Sequence, residues 1–302
     1  MFKKYMDIEN SYRQKHINRF LNDFPELRDC LYIIEEKRDG ANISLVFNPD
    51  GNYIICTRNR VLKEDEDFYE IKKVLPYYQE IIDFSKKSAY IQGKNFHIYG
   101  ELLGQNIQKR INYGNDKFFE IFDVGISDEE GNFELMPQKY LYENKILNKY
   151  MVPVIGFVKG IDNAINYVPN NFDEIEGIVI KPYEKVYTNV VGKTFYLKHK
   201  NPKFEEKQKN KSKKPKFSSE AEKMKSEFDS YVTKNRLFSV FSKEGEIQDQ
   251  KEIGKYIKLV LEDAKEDFFK DGLIDPWEFD KSELKFIFNS GAKIVEWLKE
   301  YL

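Results

Sequence analysis

The fold prediction for this chain starts from one short stretch, Glu36-Lys37-Arg38-Asp39-Gly40-Ala41-Asn42. An apolar run at residues 31–34 leads into it and a second apolar run at 43–47 leads out of it, so the pattern predicts a joint between two strands. Lys37 would then lie at a strand end, between acidic side chains and beside a glycine turn. Such a position is costly for a surface lysine and useful for a nucleophile.

The chemistry of a lysine nucleophile sets what its surroundings must do. An amine attacks phosphorus only when it is neutral, and the ordinary pKa of a lysine is about 10.4. Partial burial and neighbouring cations favour the neutral amine, so we expect both around Lys37. Gly40 would let the backbone approach a ligand closely or adopt a positive φ. The motif is weak evidence alone, because Asp-Gly is also an ordinary hairpin turn.

Length and composition predict about two domains with substantial hydrophobic cores. The chain has 302 residues, of which 41% are hydrophobic and 33% charged, and about 150 residues per domain is the usual expectation. No stretch approaches the roughly 20 apolar residues of a membrane span. The first residues lack the apolar core of a signal peptide, so we expect a cytoplasmic protein. Cys30 and Cys56 match neither a disulfide framework nor a zinc site, and we expect free buried thiols.

The charge is nearly balanced overall but unevenly distributed. The formal net charge is −2, which argues against a protein that is basic throughout. Residues 198–216, however, contain many lysines and only two acidic residues, Glu205 and Glu206. Two interpretations stay open, a solvated linker or a stretch that follows phosphates and adds salt-dependent affinity for nucleic acid. The richness in Lys, Asn, Ile and Tyr fits a viral as well as a microbial source.

The order of predicted elements indicates an α+β domain followed by a helical one. Residues 1–29 have the pattern of a short amphipathic helix that ends at Pro25, and residues 30–60 predict a hairpin around Lys37. Apolar residues at helical spacing predict an all-helical domain at 221–302. The segments between them predict a charged helix at 64–88, strands at 96–104, 118–124, 176–182 and 195–200, and mixed helix and loop at 137–175.

Residues able to bind phosphate or metal recur at the ends of these predicted strands. Arg58 ends one strand, where the guanidinium fork suits a phosphate or a carboxylate. Lys198 and Lys200 share one face of a strand by the two-residue period. Phe122 could be a core residue or a platform for a base. The remaining candidates are Glu101 between glycines, Glu176 at a strand start and Lys181 at that strand's end.

In this order, the motifs resemble those of the covalent nucleotidyltransferases, which comprise ATP-dependent ligases and capping guanylyltransferases. The resemblance is carried by Glu36-Lys37-x-Asp39-Gly40, Arg58, Tyr99-Gly100-Glu101, Phe122-Asp123, Glu176-Gly177-x-x-x-Lys181-Pro182 and Lys198-x-Lys200. It extends to the nick-sealing RNA ligase 2 family of bacteriophage through residues 1–5, 9–10, 107–109, 231–236 and 242–247. The resemblance implies an adenylyltransferase domain with antiparallel sheets flanked by helices at 1–203, a lysine-rich linker at 204–220 and a helical domain at 221–302.

The resemblance also implies a role for each motif residue. Lys37 would attack ATP to form a lysyl-AMP and release pyrophosphate, after which AMP moves to a 5′-phosphate and a 3′-hydroxyl displaces it. Glu101 and Glu176 would hold ribose, metal or metal-bound water, and Mg²⁺ or Mn²⁺ suits such ligands. Lys198 and Lys200 would neutralise the α-phosphate. The other implied nucleotide contacts are Phe122 on the adenine, and Glu36, Arg38, Asn42, Arg58 and Lys181 near the phosphates or ribose.

The C-terminal part distinguishes subfamilies. DNA ligases and capping enzymes continue with a β-rich OB domain, whereas residues 221–302 here predict helices. Gln108, Arg236 and Asp263 match positions that would contact RNA or act in sealing, although surface or capping roles stay open for the last two. RNA ligase 2 itself has histidine where this chain has Asp39, the residue commoner in DNA ligases and many other RNA ligases. That departure weakens any inference about the preferred strands.

We therefore expect an ATP-dependent RNA ligase with an ATP and Mg²⁺ requirement. Its partner would be nicked duplex RNA, or RNA ends bridged by a complementary strand, with no membrane partner and a monomeric state. One rival is an ATP-dependent DNA ligase or a GTP-using capping enzyme. A second rival is a catalytically dead RNA-binding module, against which the joint retention of Lys37, Glu101, Glu176, Lys198 and Lys200 argues.

Overall fold

The computed structural model describes residues 2–108, 110–204 and 218–302. The chain divides into two compact units, Met1–Asn201 and Pro202–Leu302. The first unit combines two antiparallel sheets with helices, and the second is helical in its described residues. The predicted α+β class is therefore confirmed. Residues 205–217, which make up most of the predicted linker, lie outside the described residues, so the role given to them stays a prediction.

Two five-stranded sheets form the framework of the first unit, in the orders β1-β10-β9-β2-β8 and β4-β3-β5-β6-β7. Neighbouring strands run antiparallel, except that β1 pairs in parallel with β10. The strands are β1 (Glu9–Asn10), β2 (Leu31–Glu36), β3 (Ala41–Phe47), β4 (Tyr53–Thr57), β5 (Asn95–Leu103), β6 (Phe118–Ser127), β7 (Phe133–Leu135), β8 (Val154–Lys159), β9 (Gly177–Pro182) and β10 (Leu197–Lys200).

The strands on either side of Lys37 belong to different sheets. β2 lies between β8 and β9, whereas β3 lies between β4 and β5. The predicted hairpin around Lys37 is therefore wrong, and the hairpin in this region is β3–β4, closed by the turn at Gly51. Residues 37–40 cross from one sheet to the other. This segment is called the nucleophile loop after the role predicted for Lys37. Alternation of apolar residues identifies strands but does not say which strand each one pairs with.

Short helices cover the sheets of the first unit, and several differ from the predicted bounds. The amphipathic helix near the N-terminus spans Gln14–Asp23 and buries Ile17, Phe20 and Leu21, but residues 2–13 are not helical. Two α-helices joined by 3-10 turns replace the single helix expected at 64–88, and β8 was not expected within 137–175. The α-helices are α1 (Gln14–Asp23), α2 (Ile71–Val74), α3 (Gln79–Gln92), α4 (Gln138–Glu143) and α5 (Ile161–Ile165).

The second unit packs its helices around an aromatic core, as the helical spacing predicted. Phe228, Phe241 and Phe268 are fully buried there. Ser218 and Thr233 accept hydrogen bonds from the first turns of the helices that follow them, which satisfies otherwise unpaired backbone donors. The helices are α6 (Ser219–Tyr231), α7 (Lys234–Glu244), α8 (Ile253–Lys270), α9 (Lys281–Ile287) and α10 (Gly291–Leu298). No helix within the described ranges is long and apolar enough to cross a membrane.

The two cysteines are unpaired, as the sequence predicted. Cys56 is buried in β4, and Cys30 is only partly buried before β2. The expectation of burial therefore holds for Cys56 and is only partly met by Cys30.

Candidate active site

The nucleophile loop is fixed by backbone hydrogen bonds to strand β9 and to the segment before β8. The Glu36 amide donates to the carbonyl of Pro153 at 2.9 Å, and the Lys37 amide donates to the carbonyl of Gly177 at 2.9 Å. Gly40 does not have a positive φ. A Cβ at Gly40 would instead lie 2.3 Å from the carbonyl oxygen of Leu102, so glycine is required here by the close approach of β5.

The carboxylate of Glu176 lies between Lys37 and Lys200, the second lysine of the Lys198-x-Lys200 motif. The Lys37 Nζ lies 2.6 Å from Glu176 Oε2, and the Lys200 Nζ lies 3.5 Å from Glu176 Oε1. The nearest charged partner of Lys37 is thus the carboxylate of Glu176. The expected neighbouring cation, Lys200, contacts the other oxygen of that carboxylate. Burial would raise the pKa of Glu176, but Lys37, Lys200 and Arg110 together hold that pKa below its ordinary value. The carboxylate therefore stays ionised and holds both amines.

Lys198 and Lys200 lie two residues apart on β10, as the period of a strand requires. Lys198 pairs in register with Val179 of β9 on one side and with Asn10 of β1 on the other. Both lysines are partly buried rather than extended into solvent. Strand β10 therefore has both lysines on one face, and the ammonium group of Lys200 reaches Glu176.

Glu101 and Asn42 are register partners on β5 and β3. The Gly40 amide donates to Glu101 Oε1 at 3.2 Å, which ties the nucleophile loop to this carboxylate. Burial raises the pKa of Glu101 to about 8, with Glu176 and Asp39 adding to the rise and Lys37 opposing it. The side-chain oxygen of Asn42 is buried and accepts no hydrogen bond from the described residues. A buried oxygen without a hydrogen-bond donor, such as Asn42 Oδ1, is suited to accept a hydrogen bond from a bound ligand.

Phe122 is half-buried and packs edge-on against Tyr5, with ring centroids 4.8 Å apart. Tyr5 is itself buried, and its hydroxyl donates to Asp123, the next residue after Phe122. The ring of Phe122 is thus partly accessible to solvent, while Tyr5 packs against its edge and Lys181 donates to its backbone carbonyl. Such a ring can serve as a stacking platform for a nucleotide base.

Lys181 is placed differently from the expected phosphate contact. Its side chain is 1% exposed, and Nζ lies 2.7 Å from Glu35 Oε2, 3.0 Å from Asp123 Oδ2 and 2.6 Å from the carbonyl oxygen of Phe122. Burial would lower the pKa of Lys181, but Asp123 and Glu35 raise it above its ordinary value. The ammonium group is therefore committed to protein oxygens beneath Phe122, and its contact with a nucleotide stays a prediction that this placement does not favour.

The other expected nucleotide contacts also have partners within the protein. Arg38 holds Glu120 through two hydrogen bonds, of 2.6 Å and 3.0 Å, and contacts Glu36 at 2.5 Å. Arg58 donates to the carboxylate of Asp7 in the N-terminal segment. Glu36 and Arg58 are each partly buried. A phosphate at Arg58 would have to share that guanidinium with Asp7 or replace it.

A pair that the motifs did not predict adjoins the nucleophile loop. Arg110, from the segment between β5 and β6, donates to both carboxylate oxygens of Asp39. The Asp39 amide donates to the hydroxyl of Tyr113 at 3.0 Å. Burial and the nearby charge of Glu176 raise the pKa of Asp39, while Arg110 opposes that rise. The only hint in the sequence was the position of Arg110, two residues after Gln108.

The donors in this pocket fit a hydrated divalent ion better than a directly caged one. Glu101 and Glu176 offer hard carboxylate oxygens, which Mg²⁺ and Mn²⁺ accept. Within the described ranges, no group of three or more His, Cys, Asp and Glu side chains is arranged to hold a metal ion. Two carboxylates can bind an ion through water when a nucleotide phosphate completes the coordination.

Gln108 belongs to the first unit, and the two predicted sealing residues, Arg236 and Asp263, belong to the helical unit. Gln108 is partly buried after β5. In the helical unit, Arg236 is 2% exposed and donates to the Tyr231 carbonyl oxygen at 2.8 Å and to the carboxylate of Asp263. The surface role left open for Arg236 is therefore wrong, because its side chain is buried, whereas Asp263 stays 24% exposed in the ion pair. The contact of Arg236 with the Tyr231 carbonyl, at the last residue of α6, agrees with the capping role. The action of Arg236 and Asp263 in sealing stays a prediction.

Comparison with known families places this site in context. A family model described as RNA ligase matches residues 31–200, which is more than half of the chain. The chain belongs to the RNA ligase family. A second model, described as T4 RNA ligase 2 C-terminal, matches residues 215–290. The two matches together confirm the resemblance of the motifs to the RNA ligase 2 family of the nucleotidyltransferase superfamily.

Solved structures of an RNA ligase from Naegleria gruberi are distantly similar to this RNA ligase family member. A mutant of that ligase with ATP and Mn is 18% identical with a TM-score of 0.47, and the ligase with PPi is 17% identical with a TM-score of 0.45. Each comparison covers 67% of this chain and 57% of the Naegleria gruberi chain. The chain thus spans little more than half the length of those proteins.

Motif reasoning missed the residues that support the site rather than form it. The clearest missed cluster is Lys181 with Glu35 and Asp123, all at most 1% exposed. A lysine inside the continuous apolar run of β9 was a usable signal, because a charge in a strand buried on both faces needs a buried partner. The partner itself could not be read from the sequence, since Asp123 lies on the other sheet.

Proposed function

We propose that this protein is an ATP-dependent RNA ligase that seals 3′-hydroxyl/5′-phosphate nicks in duplex RNA through a lysyl-AMP and an RNA-adenylate. The observation that carries the proposal is the arrangement of Lys37, Glu176 and Lys200, in which one ionised carboxylate holds the nucleophile and a second lysine. Membership of the RNA ligase family supports the RNA substrate. The proposed cofactors are ATP and a divalent ion, Mg²⁺ or Mn²⁺.

In the first step, Lys37 Nζ forms a bond to the α-phosphorus of ATP and the bond to pyrophosphate breaks. Glu176 Oε2, 2.6 Å from Nζ, orients the amine and is the nearest acceptor for the proton that it loses. Lys200 and Lys198 face the charge that develops on the phosphate oxygens. Phe122 would stack on the adenine. A divalent ion near Glu101 and Glu176 would supply charge neutralisation for the triphosphate.

In the later steps, AMP moves from Lys37 to the 5′-phosphate of RNA, and attack by the 3′-hydroxyl expels it. Both steps transfer a phosphoryl centre within reach of the same lysines, so one pocket can serve all three reactions. Duplex RNA would be held through phosphates and 2′-hydroxyls, by shape rather than by sequence. The proposed RNA contacts are the lysines of residues 198–216 and the helical unit. The affinity of the protein for RNA should therefore fall steeply as the salt concentration rises.

The test is incubation with α-labelled ATP and Mg²⁺, followed by sealing assays on nicked RNA–RNA and DNA–DNA duplexes. We expect label on the protein and joining wherever the 3′-hydroxyl strand is RNA. Lys37→Ala should take no label, whereas Lys149→Ala, which removes an exposed lysine paired with Glu80, should label normally. Labelling by GTP alone, joining of DNA only, or no label on folded protein free of AMP would refute the proposal.

A further inference from the structure

The segment between β5 and β6 contacts the nucleophile loop through two side chains. The guanidinium of Arg110 takes both oxygens of the Asp39 carboxylate, and Nε donates at 2.9 Å. The hydroxyl of Tyr113 accepts from the Asp39 amide at 3.0 Å, and the Arg38 guanidinium lies 5.2 Å from the Tyr113 ring centroid. Asp39 is 3% exposed, so both its carboxylate and its backbone are held away from water.

The charges around Lys37 explain why Asp39 needs this partner. Three carboxylates, those of Asp39, Glu101 and Glu176, lie close enough to Lys37 to interact with its charge. Asp39 is two residues from Lys37, and only Glu176 makes the 2.6 Å contact with Nζ. A buried carboxylate without a counter-ion is costly and attracts the nearest cation. Without Arg110, that cation would be the ammonium group of Lys37.

We propose that Arg110 is a positioning residue for lysine adenylylation, because its ion pair with Asp39 keeps that carboxylate from competing with Glu176 for Lys37. The inference rests on the proposed function, since it concerns the same nucleophile. Arg110 acts through Asp39 and not through the nucleotide. Tyr113 assists by fixing the backbone at Asp39, so the loop presents Lys37 to Glu176 in one geometry.

The experiment is a double-mutant cycle on the full-length protein freed of AMP. The variants are Arg110→Ala, Asp39→Asn and the double variant. Single-turnover formation of lysyl-AMP is measured over a range of ATP concentrations. We expect Arg110→Ala to lower the maximal rate constant about tenfold or more, because a displaced nucleophile loses its orientation, and to leave the ATP concentration at half-maximal rate within about twofold.

The diagnostic result is a partial recovery of the rate of lysyl-AMP formation in the double variant. Adding Asp39→Asn to Arg110→Ala removes the unpaired carboxylate, so the double variant should form lysyl-AMP faster than Arg110→Ala alone. Thermal unfolding without ATP gives a readout apart from activity, and there the double variant should lose less stability than the sum of the single variants. Arg60→Ala is the matched control, because Arg60 makes a similar paired contact with Glu66 on the surface, at 2.7 Å and 2.5 Å.

Four outcomes would overturn the inference, and they separate it from the proposed function. Wild type that labels normally, together with Arg110→Ala at an unchanged rate, would remove only the role of Arg110. A raised half-saturating ATP concentration at an unchanged maximal rate, or a double variant no faster than Arg110→Ala, would mean that Arg110 does not act through Asp39. A wild-type protein that takes no label would overturn both proposals.

Discussion

Replacing Lys181 by methionine tests the buried cluster beneath Phe122. The substitution keeps the length of the side chain and removes the only ammonium group that contacts both Glu35 and Asp123 in the described structure. Neither carboxylate is left without hydrogen bonds. Tyr142 still donates to Glu35 at 2.9 Å, and Tyr5 and Gln138 still donate to Asp123. The variant should therefore fold, with a measurable loss of stability.

The size of that loss follows from the burial of the cluster. Removing one member of a buried ion pair typically costs about 3–5 kcal/mol. The hydrogen bonds that remain on Glu35 and Asp123 place Lys181→Met near the lower end, at about 3 kcal/mol. With a urea m-value of about 3 kcal/mol per molar, which suits a unit of this size, the unfolding midpoint should fall by about 1 M.

The loss should depend on pH through Glu35. Burial raises the pKa of Glu35, and Lys181 opposes that rise. A group whose pKa is higher in the folded protein than in the unfolded chain adds stability at low pH and loses it as pH rises through the folded value. Without Lys181 the pKa of Glu35 rises further, so the difference in unfolding free energy between variant and wild type should narrow as the pH falls through that raised pKa.

Urea unfolding at several pH values, followed by circular dichroism, measures both effects. Lys149→Met is the control, because it breaks an exposed pair with Glu80 and should change stability far less. An unfolding midpoint within error of wild type would refute the assigned role of the cluster. So would a gap that widens as the pH falls.

Three further predictions concern the nucleotide and the helical unit. Phe122→Ala should weaken ATP binding by about tenfold or more while Phe122→Tyr retains it, as measured by calorimetry, because a stacked base contributes about 1–3 kcal/mol; equal affinities would exclude stacking. Deleting residues 221–302 should spare lysyl-AMP formation and impair sealing of a phosphorylated nick, and normal sealing by the truncated protein would contradict the role of that unit. Arg236→Met should destabilise the helical unit and slow nick sealing, with lysyl-AMP formation unchanged. An unfolding curve identical to wild type would show that the pair with Asp263 is not structural.

Local pattern was enough to predict several elements of this protein. Apolar spacing located α1 and the helices of the C-terminal unit. The two-residue period put Lys198 and Lys200 together on β10. These features depend on backbone conformation and on which face of an element is apolar, and both are properties of neighbouring residues.

Only the tertiary structure decided how those elements combine. It put the two strands beside Lys37 into separate sheets, so the loop at 37–40 spans them. It also gave Asp39 the partner Arg110, 71 positions away, and turned Lys181 from an expected phosphate contact into the centre of a buried cluster. Arg236 and Asp263, expected singly, became one ion pair.

The sequence by itself therefore indicated the family and the type of most elements, because short motifs and periodicity are local. The partners of the buried charges were decided by the packing of distant strands and helices. A buried charge takes whichever opposite charge the fold brings within contact distance, and no local pattern encodes that distance. For this reason the sequence could single out Lys37 as a candidate, whereas the ion-pair partners of Arg110 and Lys181 appeared only in the structure.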